Sequence, residues 1–389
     1  LGAATMLLAL LALLAPLLGV TTDAHGRHLS LLSTAAFDPS STENAILWVR
    51  IPRVLACLLV GAALGASGAG LQAILRNPLA EPFTLGISSG SALAAVIAIR
   101  IGVETWLGSA GVGLAALLGA GATLLVVWRL ARTDQRLPAA TLVLAGVTVS
   151  MFCSAASVLI QYTSDFSEVS RMLRWMMGGL ESMRLSTVGW AAAPIVVGIG
   201  TLIAFTRELN ALAAGEEAAA SVGVAVARTQ SVVFIVASLL VGVSIAVAGP
   251  IGFVGLIVPH AIRGTVGPDH RLLVPASALG GAALLLFCDS LARMVAAPAQ
   301  LPAGVSVVTH GGWTAMFSVT LRDAKFAMAL LLLKTHSPDG KLIPAWLAIW
   351  PIFGAANQLV GALVLLAVSV WVVKGLKKSN TFLMVPMWF

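Results

Sequence analysis

Residues 50–99 read RIPRVLACLLVGAALGASGAGLQAILRNPLAEPFTLGISSGSALAAVIAI. Arg50 and Arg53 flank Pro52, and from Val54 to Leu75 no charged residue occurs. As a helix, that run is long enough to cross the hydrocarbon core of a bilayer, which takes about 20 residues. It is crowded with small residues: Gly61, Gly65, Gly68 and Gly70, with Ala62, Ala66 and Ala69 among them. The Gly61-x-x-x-Gly65 spacing lets a second helix come close, because no side chain stands between the two backbones. A polar break follows at Arg76-Asn77-Pro78, then Pro82, and Gly86-Ile87-Ser88-Ser89-Gly90 leads into the next apolar run. Glycine spacing alone is equally satisfied by two ordinary packed membrane helices.

The composition of the whole chain extends that reading. Of its 389 residues 59% are hydrophobic and 10% charged, against about a quarter charged in a soluble domain. The mean hydropathy is +0.98. The chain is therefore an integral membrane protein. Alternating ten-residue segments are absent, which sets aside an outer-membrane barrel. The net charge of +7 comes from single basic residues at the ends of apolar runs and not from a patch, so nucleic acid is not an expected partner. Cys57, Cys153 and Cys288 each lie in an apolar run without metal-ligand spacing and read as small buried hydrophobes. His25 and His28 stand three apart in a polar loop with no further ligand near, so no metal site and no cofactor is expected.

Read in order, Leu1–Val20 is a first span, without the basic start of a signal peptide. The chain opens on Leu1 instead of Met, so residues before it are expected. Residues 21–49 read as a polar loop. Spans follow at 54–75, 84–100, Trp106–Trp128, Ala139–Tyr162, Ser186–Phe205, Thr229–Ala248 and Leu272–Ala296. Ser150, Ser154 and Ser157 share one face of the fifth, either along a pathway or bonded back to carbonyls. Residues 163–185 are amphipathic and read as a short interfacial helix. Within 207–228, RELNALAAGEEAAASVGVAVAR, Glu216 and Glu217 follow Gly215 as acids in a first helical turn, and Gly223 is a helix stop. The run from Gly249-Pro250 through Gly252 and Gly255 to Pro259-His260 interrupts a helix, which a membrane tolerates only where the freed backbone is buried in protein or lines a cavity. Asp289 and Arg293 stand at i, i+4, the spacing of a helical ion pair. Arginines near the two sides come out nearly equal, so charge does not orient the chain.

The order of these pieces resembles the FecCD family, the membrane subunits of ABC importers for iron-siderophores, haem and cobalamin. The resemblance rests on Arg50-x-Pro52-Arg53 and the glycine-rich span. It continues through Leu71-Gln72-Ala73-x-x-Arg76-Asn77-Pro78-Leu79-Ala80-Glu81-Pro82 and Leu85-Gly86-x-Ser88-Ser89-Gly90. The later runs Gly252-Phe253-x-Gly255-Leu256-x-x-Pro259-His260, Gly267–Arg271 and Leu301–Val305 match as well. It implies an all-α polytopic fold of about ten transmembrane helices. It implies further that Leu209, Ala213, Gly215, Glu216, Glu217, Ala218, Ser221 and Gly223 belong to a cytoplasmic segment that couples to an ATPase. Arg50, Arg53 and Arg293 would then stand at the outer mouth, against acidic residues of a substrate-binding protein. Gly61, Gly65, Gly68, Gln72, Asn77, Pro78, Gly249, Pro250, Gly252, Gly255, Pro259 and His260 would serve packing and the pathway, His260 structurally and not as a proton relay.

The resemblance covers about residues 1–305. From 306 to 344 the sequence departs from it, with Arg322, Asp323 and Lys325 in a segment too polar for a closing helix. Residues 345–389, with Trp350-Pro351-x-Phe353-Gly354-x-x-Asn357-Gln358-Leu359, resemble the C-terminal region of the carbon-starvation (CstA) peptide transporters. The chain thus reads as a permease domain, a junction and a fragment of a second transporter type.

No Gly-x4-Gly-Lys-Ser/Thr occurs, so the chain has no P-loop and is not read as an ATPase. The function implied is a permease for an iron(III)-siderophore, or for haem or cobalamin, in the bacterial cytoplasmic membrane. It would pair with a second permease chain, with ATPase subunits and with a binding protein, amid membrane lipid. The alternatives are a secondary transporter of the carbon-starvation type, which calls for buried ionisable residues in several spans, or a fusion without transport activity. A membrane enzyme lacks any cluster of nucleophile, base and acid.

Overall fold

The computed structural model describes residues 2–23, 26–31, 38, 40–132, 137–180, 183–295, 304, 307, 334–336 and 342–344. The chain divides into two units, Leu1–Ala315 and Met316–Phe389. In the second unit the described residues are two strands paired antiparallel, Lys334–His336 and Leu342–Pro344. The closing helix of the permease pattern, most of 306–344 and all of 345–389 lie outside the described residues.

The first unit is a helical bundle with one small hairpin. Its elements are α1 (Gly2–Leu14), β1 (Leu18–Asp23), β2 (Gly26–Leu31), α2 (Thr42–Ile74), α3 (Ile87–Arg100), α4 (Val103–Ala131), α5 (Ala139–Tyr162) and α6 (Phe166–Met176). They continue as α7 (Leu185–Ala204), α8 (Thr206–Ala213), α9 (Glu216–Ser221), α10 (Val226–Ala248), α11 (Val254–Val266) and α12 (His270–Val295). Six helices are long and apolar enough to span among the described residues, and α3 and α11 are shorter apolar helices. The six long helices are six of the eight spans expected from the sequence, with several boundaries corrected, whereas 1–20 and 84–100 do not form full spans.

The first correction is at the start. The apolar run 1–20 is not one span: α1 ends at Leu14, just before Pro16, which has no N–H to continue the ladder. β1 and β2 then pair from Leu18↔Leu31 to Asp23↔Gly26, across the end of that run and into the stretch that reads as a loop. Val20, Thr21 and Thr22 favour that extended form. The second correction is α2, which begins at Thr42, well before the uncharged run. Ser41 caps it by accepting the Asn44 N–H at 3.1 Å. Arg50 and Arg53 therefore lie inside α2, and not at its opening.

The third concerns the interrupted spans. At 14 residues α3 reaches only about 21 Å, short of the roughly 30 Å hydrocarbon core. A 3-10 turn, Pro82–Leu85, precedes it, and Gly86 lies against the Gly146 carbonyl and Ser150 in the interior of α5. α4 is broken at Gly108 (φ 62°, ψ −163°), so its span is Ala110–Ala131. The amphipathic 163–185 segment forms α6. Its Glu168 accepts the Asp165 N–H at 3.2 Å, closing the first turn, and pairs with Arg100 of α3 at 2.9 Å.

α2 is the axis. Of its apolar window 78% is buried, against 22% for α5 and for α7. The cause is its small-residue face. A Cβ on Gly61 would stand 2.7 Å from the carbonyl carbon of Gly281 in α12, and one on Gly68 would stand 2.7 Å from Cα of Gly255 in α11. Gly65 lies against the Ser277 carbonyl in the same way. Three helices thus meet backbone to backbone.

Candidate functional site

The α8–α9 pair sits at one end of the bundle. Leu209 and Leu212 bury the inner face of α8, and Ala213 is exposed. Gly215 caps α9 at φ 120°, a conformation that disfavours any side chain, and Gly223 (φ 85°) follows its last turn. Glu216 faces inward: it accepts from Nε2 of Gln230 at 3.1 Å and lies 3.6 Å from a guanidinium nitrogen of Arg76. Glu217, Ala218 and Ser221 face outward, and Val222 beside them is 71% exposed. α9 is thus anchored through Glu216 and presents a small, mixed outer surface.

Asn210 fastens α8 to the turn between α11 and α12. Its Oδ1 accepts the His270 N–H at 2.8 Å, and its Nδ2 donates to Asp269 at 2.6 Å. The Arg271 backbone N–H and Asn210 hold the Asp269 carboxyl below the usual carboxylate range. Asn77 and Pro78 are exposed at this same end, beside Arg76. Arg76 takes the left-handed conformation (φ 48°) while the Asn77 N–H closes α2 on the Gln72 carbonyl at 3.1 Å.

A second group lies where α2 meets α11. The helix break falls at Gly249–Phe253 and not at Pro259, which lies inside α11. Gly249 (φ 69°) packs on the Trp175 carbonyl, and Pro250 is half-buried. Pro259 has no N–H for the carbonyl four residues earlier, Gly255. Gln72 takes that place: its Nε2 donates to Gly255 O at 3.4 Å and to Leu256 O at 3.3 Å, while its Oε1 accepts from Arg263 at 3.2 Å. At the break, Phe253 stands at φ 69° and its N–H donates to Glu81 at 2.6 Å. Gly252 lies beside that carboxylate, and His260 is exposed on α11.

The third group is cationic. Arg50 is half-buried and donates to the Pro16 carbonyl at 3.1 Å. Arg53 does not stand at a rim as expected. It is buried, 6% exposed, and grips both oxygens of Asp289, Nε at 2.9 and 3.1 Å and Nη2 at 2.8 Å. The reason is the earlier start of α2, which carries Arg53 inward, and the antiparallel run of α12, which brings Asp289 opposite. Arg293 joins the same carboxylate at 3.2 Å, the expected i, i+4 pair, and also donates to Ala15 O and Ser290 Oγ at 3.3 and 3.2 Å.

Glu81 and Asn210 carry contacts that reasoning from sequence did not single out. Glu81 had a signal, a lone carboxylate before Pro82 in an apolar frame. Asn210 had none, because its partners lie about sixty residues away (|i−j| 59 and 60). Of the serines on α5, Ser157 bonds back to the Cys153 carbonyl at 2.8 Å and Ser154 is exposed.

Comparison with known proteins is consistent along the first unit. The FecCD transport family model matches residues 7–321, and the carbon starvation protein CstA model matches 303–389. The chain is 40% identical over 285 residues to the cobalamin import system permease protein BtuC of Halobacterium salinarum, covering 73% of this chain and 75% of that one. It is 38% identical over 279 residues to the hemin transport system permease protein HmuU of Yersinia pestis, covering 70% and 83%. A solved structure described as an inward-facing conformation of a metal-chelate-type ABC transporter superposes with a TM-score of 0.70 at 30% identity, over 82% of this chain and 97% of that one.

Proposed function

Because this chain belongs to the FecCD transport family, and so is a multi-pass permease subunit of an ABC importer in the cytoplasmic membrane and not an enzyme, we propose that it moves a metal chelate inward. The class is an iron(III)-siderophore, with haem and cobalamin the neighbouring readings. The relatives named for cobalamin and hemin, and the metal-chelate-type neighbour, support the wider class of metal chelates, and the siderophore reading rests on the family resemblance of the sequence. Two such chains enclose the pathway, two ATPase subunits drive it and a binding protein delivers the substrate.

The observation that carries the proposal is the α8–α9 pair. Two short helices with Gly215 and Gly223 at their joints are fixed to the bundle by Glu216 and Asn210, and turn Glu217, Ala218, Ser221 and Val222 outward. A lever needs both a rigid root and an accessible tip. We assign the tip to the ATPase groove, and Leu209, Ala213, Gly215, Glu216 and Gly223 to the root. Asn77 and Pro78 lie beside that root, while the Gln72 and Gly249–His260 seam holds the packing around the pathway. Arg50 and the accessible edge of Arg293 remain the contacts for the binding protein at the opposite end, with Arg53 supporting them through Asp289.

For the rest of the chain we assign residues 1–305 to the permease, 306–344 to a junction and 345–389 to the CstA-like segment. The overlap of the two family matches, 303–321, supports a join in this region.

The test is co-purification with a co-expressed ABC ATPase subunit. Val222→Asp and Glu217→Lys are expected to leave membrane yield intact and cut ATPase retention at least tenfold. Unchanged retention and unchanged substrate-stimulated ATP hydrolysis would overturn the coupling assignment. Adding binding protein loaded with siderophore, haem or cobalamin in turn, and reading ATP hydrolysis, identifies the chelate.

A further inference from the structure

The α8–α9 pair meets the bundle in two ways. Leu209 and Leu212 are buried and pack α8 by apolar contact, which has no direction of its own. Hydrogen bonds do fix direction, and two residues supply them. Glu216 bonds to Gln230 of α10, the helix that follows α9 in the chain. Its contact with Arg76 is longer, 3.6 Å, and both side chains are open to water, where an ion pair contributes little. Asn210 instead reaches a helix remote in sequence: its partners, Asp269 and His270, stand at the start of α12. We infer that Asn210 is the positioning residue through which a displacement of the α8–α9 pair is passed to α12. The inference rests on the coupling reading and names the place where that motion enters the bundle.

The contacts leave the Asn210 amide one orientation. The His270 backbone N–H can only donate, so the amide oxygen faces it, at 2.8 Å. The Asp269 carboxylate can only accept, so the amide nitrogen faces it, at 2.6 Å. Nδ1 of His270 lies 2.8 Å from the same amide oxygen and therefore carries the ring proton. His270 is buried, and its Nε2 has no hydrogen-bond partner among the described residues, so Asn210 holds the ring.

Asp269 also closes the first turn of α12. Its carbonyl accepts the Leu272 and Leu273 N–H groups at 3.0 and 2.8 Å, and its carboxylate accepts the Arg271 N–H at 2.9 Å. One side chain thus grips the residues that begin the helix, and its bond to Asp269 is strengthened by the carboxylate charge. A shift of α8 is therefore imposed on the first turn of α12. That helix in turn meets α2 backbone to backbone at Gly61 and Gly65.

The test uses the full chain in nanodiscs with a co-expressed ABC ATPase subunit, without nucleotide and after trapping with ATP and vanadate. Cys57, Cys153 and Cys288 are buried, so a bimane fluorophore is directed to one introduced cysteine at a time. Arg207→Cys, at an exposed position, reports on α8, and Phe287→Cys, also exposed, reports on α12. In the parent chain, trapping is expected to shift the emission of both probes. Asn210→Leu should leave ATPase retention and the shift at position 207 intact, and at least halve the shift at position 287. Asp269→Asn keeps the shape and removes the charge. It should cause a smaller loss at position 287, and it carries the test if Asn210→Leu does not fold. A thermal melt of each variant runs alongside. Lowered stability with a full shift at position 287 would make Asn210 a static fastener and overturn the inference. Lost ATPase retention in Asn210→Leu would overturn it too, by placing Asn210 behind the docking surface instead of behind α12. Should Val222→Asp lower ATPase retention while the shift at position 287 survives both clamp variants, the inference alone falls. Silence of both probes in the parent chain would bring down the coupling reading with it.

Discussion

Asp289 is fully buried and answers two guanidinium groups at once, so replacing it with leucine tests the α2–α12 seam directly. Removing one partner of a buried ion pair typically costs about 3–5 kcal/mol, because the remaining charge stays desolvated. The two arginines do not suffer alike. Arg293, 14% exposed and already bonded to Ala15 O and Ser290 Oγ, can swing toward water. Arg53 is buried, faces Asp289 with Nε and Nη2, and cannot swing to water in that way. Arg53→Met alone is expected to cost somewhat less, since Asp289 keeps Arg293. The double variant Arg53→Met with Asp289→Leu should fall short of the sum of the singles by about 2–3 kcal/mol. The assay is thermal unfolding of the detergent-solubilised chain, followed by loss of the monodisperse peak on gel filtration. Single costs below about 1 kcal/mol, or strict additivity, would refute the view that this triad holds the seam. The same geometry alters what a charge reversal reports. Arg53→Glu is expected to destabilise the chain, so only Arg50→Glu, read by association of the binding protein at low and high salt, reports on a rim contact.

Gly68→Val places a Cβ inside contact distance of the Gly255 backbone, where no side chain can give way, and should cost at least about 3 kcal/mol and most of the membrane yield. Gly121→Ala in α4, where a Cβ meets nothing within 4 Å, is the control expected to express normally. Glu81→Ala removes the acceptor of the Phe253 N–H at a strained left-handed position; it should lower stability by about 1–3 kcal/mol and speed proteolysis near the 249–253 break, whereas Glu81→Gln keeps an oxygen and is expected to recover part of the loss.

The uncharged runs of α5, α7 and α10 are legible because composition alone forces a helix across a bilayer. The short helix between Gly215 and Gly223 was legible too, since those glycines mark its two ends. Three things were not. The start of α2 is hidden because residues 42–53 carry Glu43, Arg50, Pro52 and Arg53, and only the fold shows that Arg53 is neutralised by a buried partner on α12. The hairpin 18–31 is hidden because its first strand continues an apolar run without a break in hydropathy. The role of Gln72 is hidden because it depends on a carbonyl that Pro259, 187 positions later, leaves without its helical donor.

The contact of α2 with α11 and α12 has a mechanical consequence. Where two helices touch through side chains, rotamers can change and the surfaces can slide past one another. Where Gly61, Gly65 and Gly68 rest on Gly281, Ser277 and Gly255, nothing lies between to rearrange. These three helices must travel as one body when the pathway opens, with displacement taken up where the chain is jointed by glycine or borne by the thinly packed α5 and α7. The glycine row that lets the bundle close also decides which half of it moves.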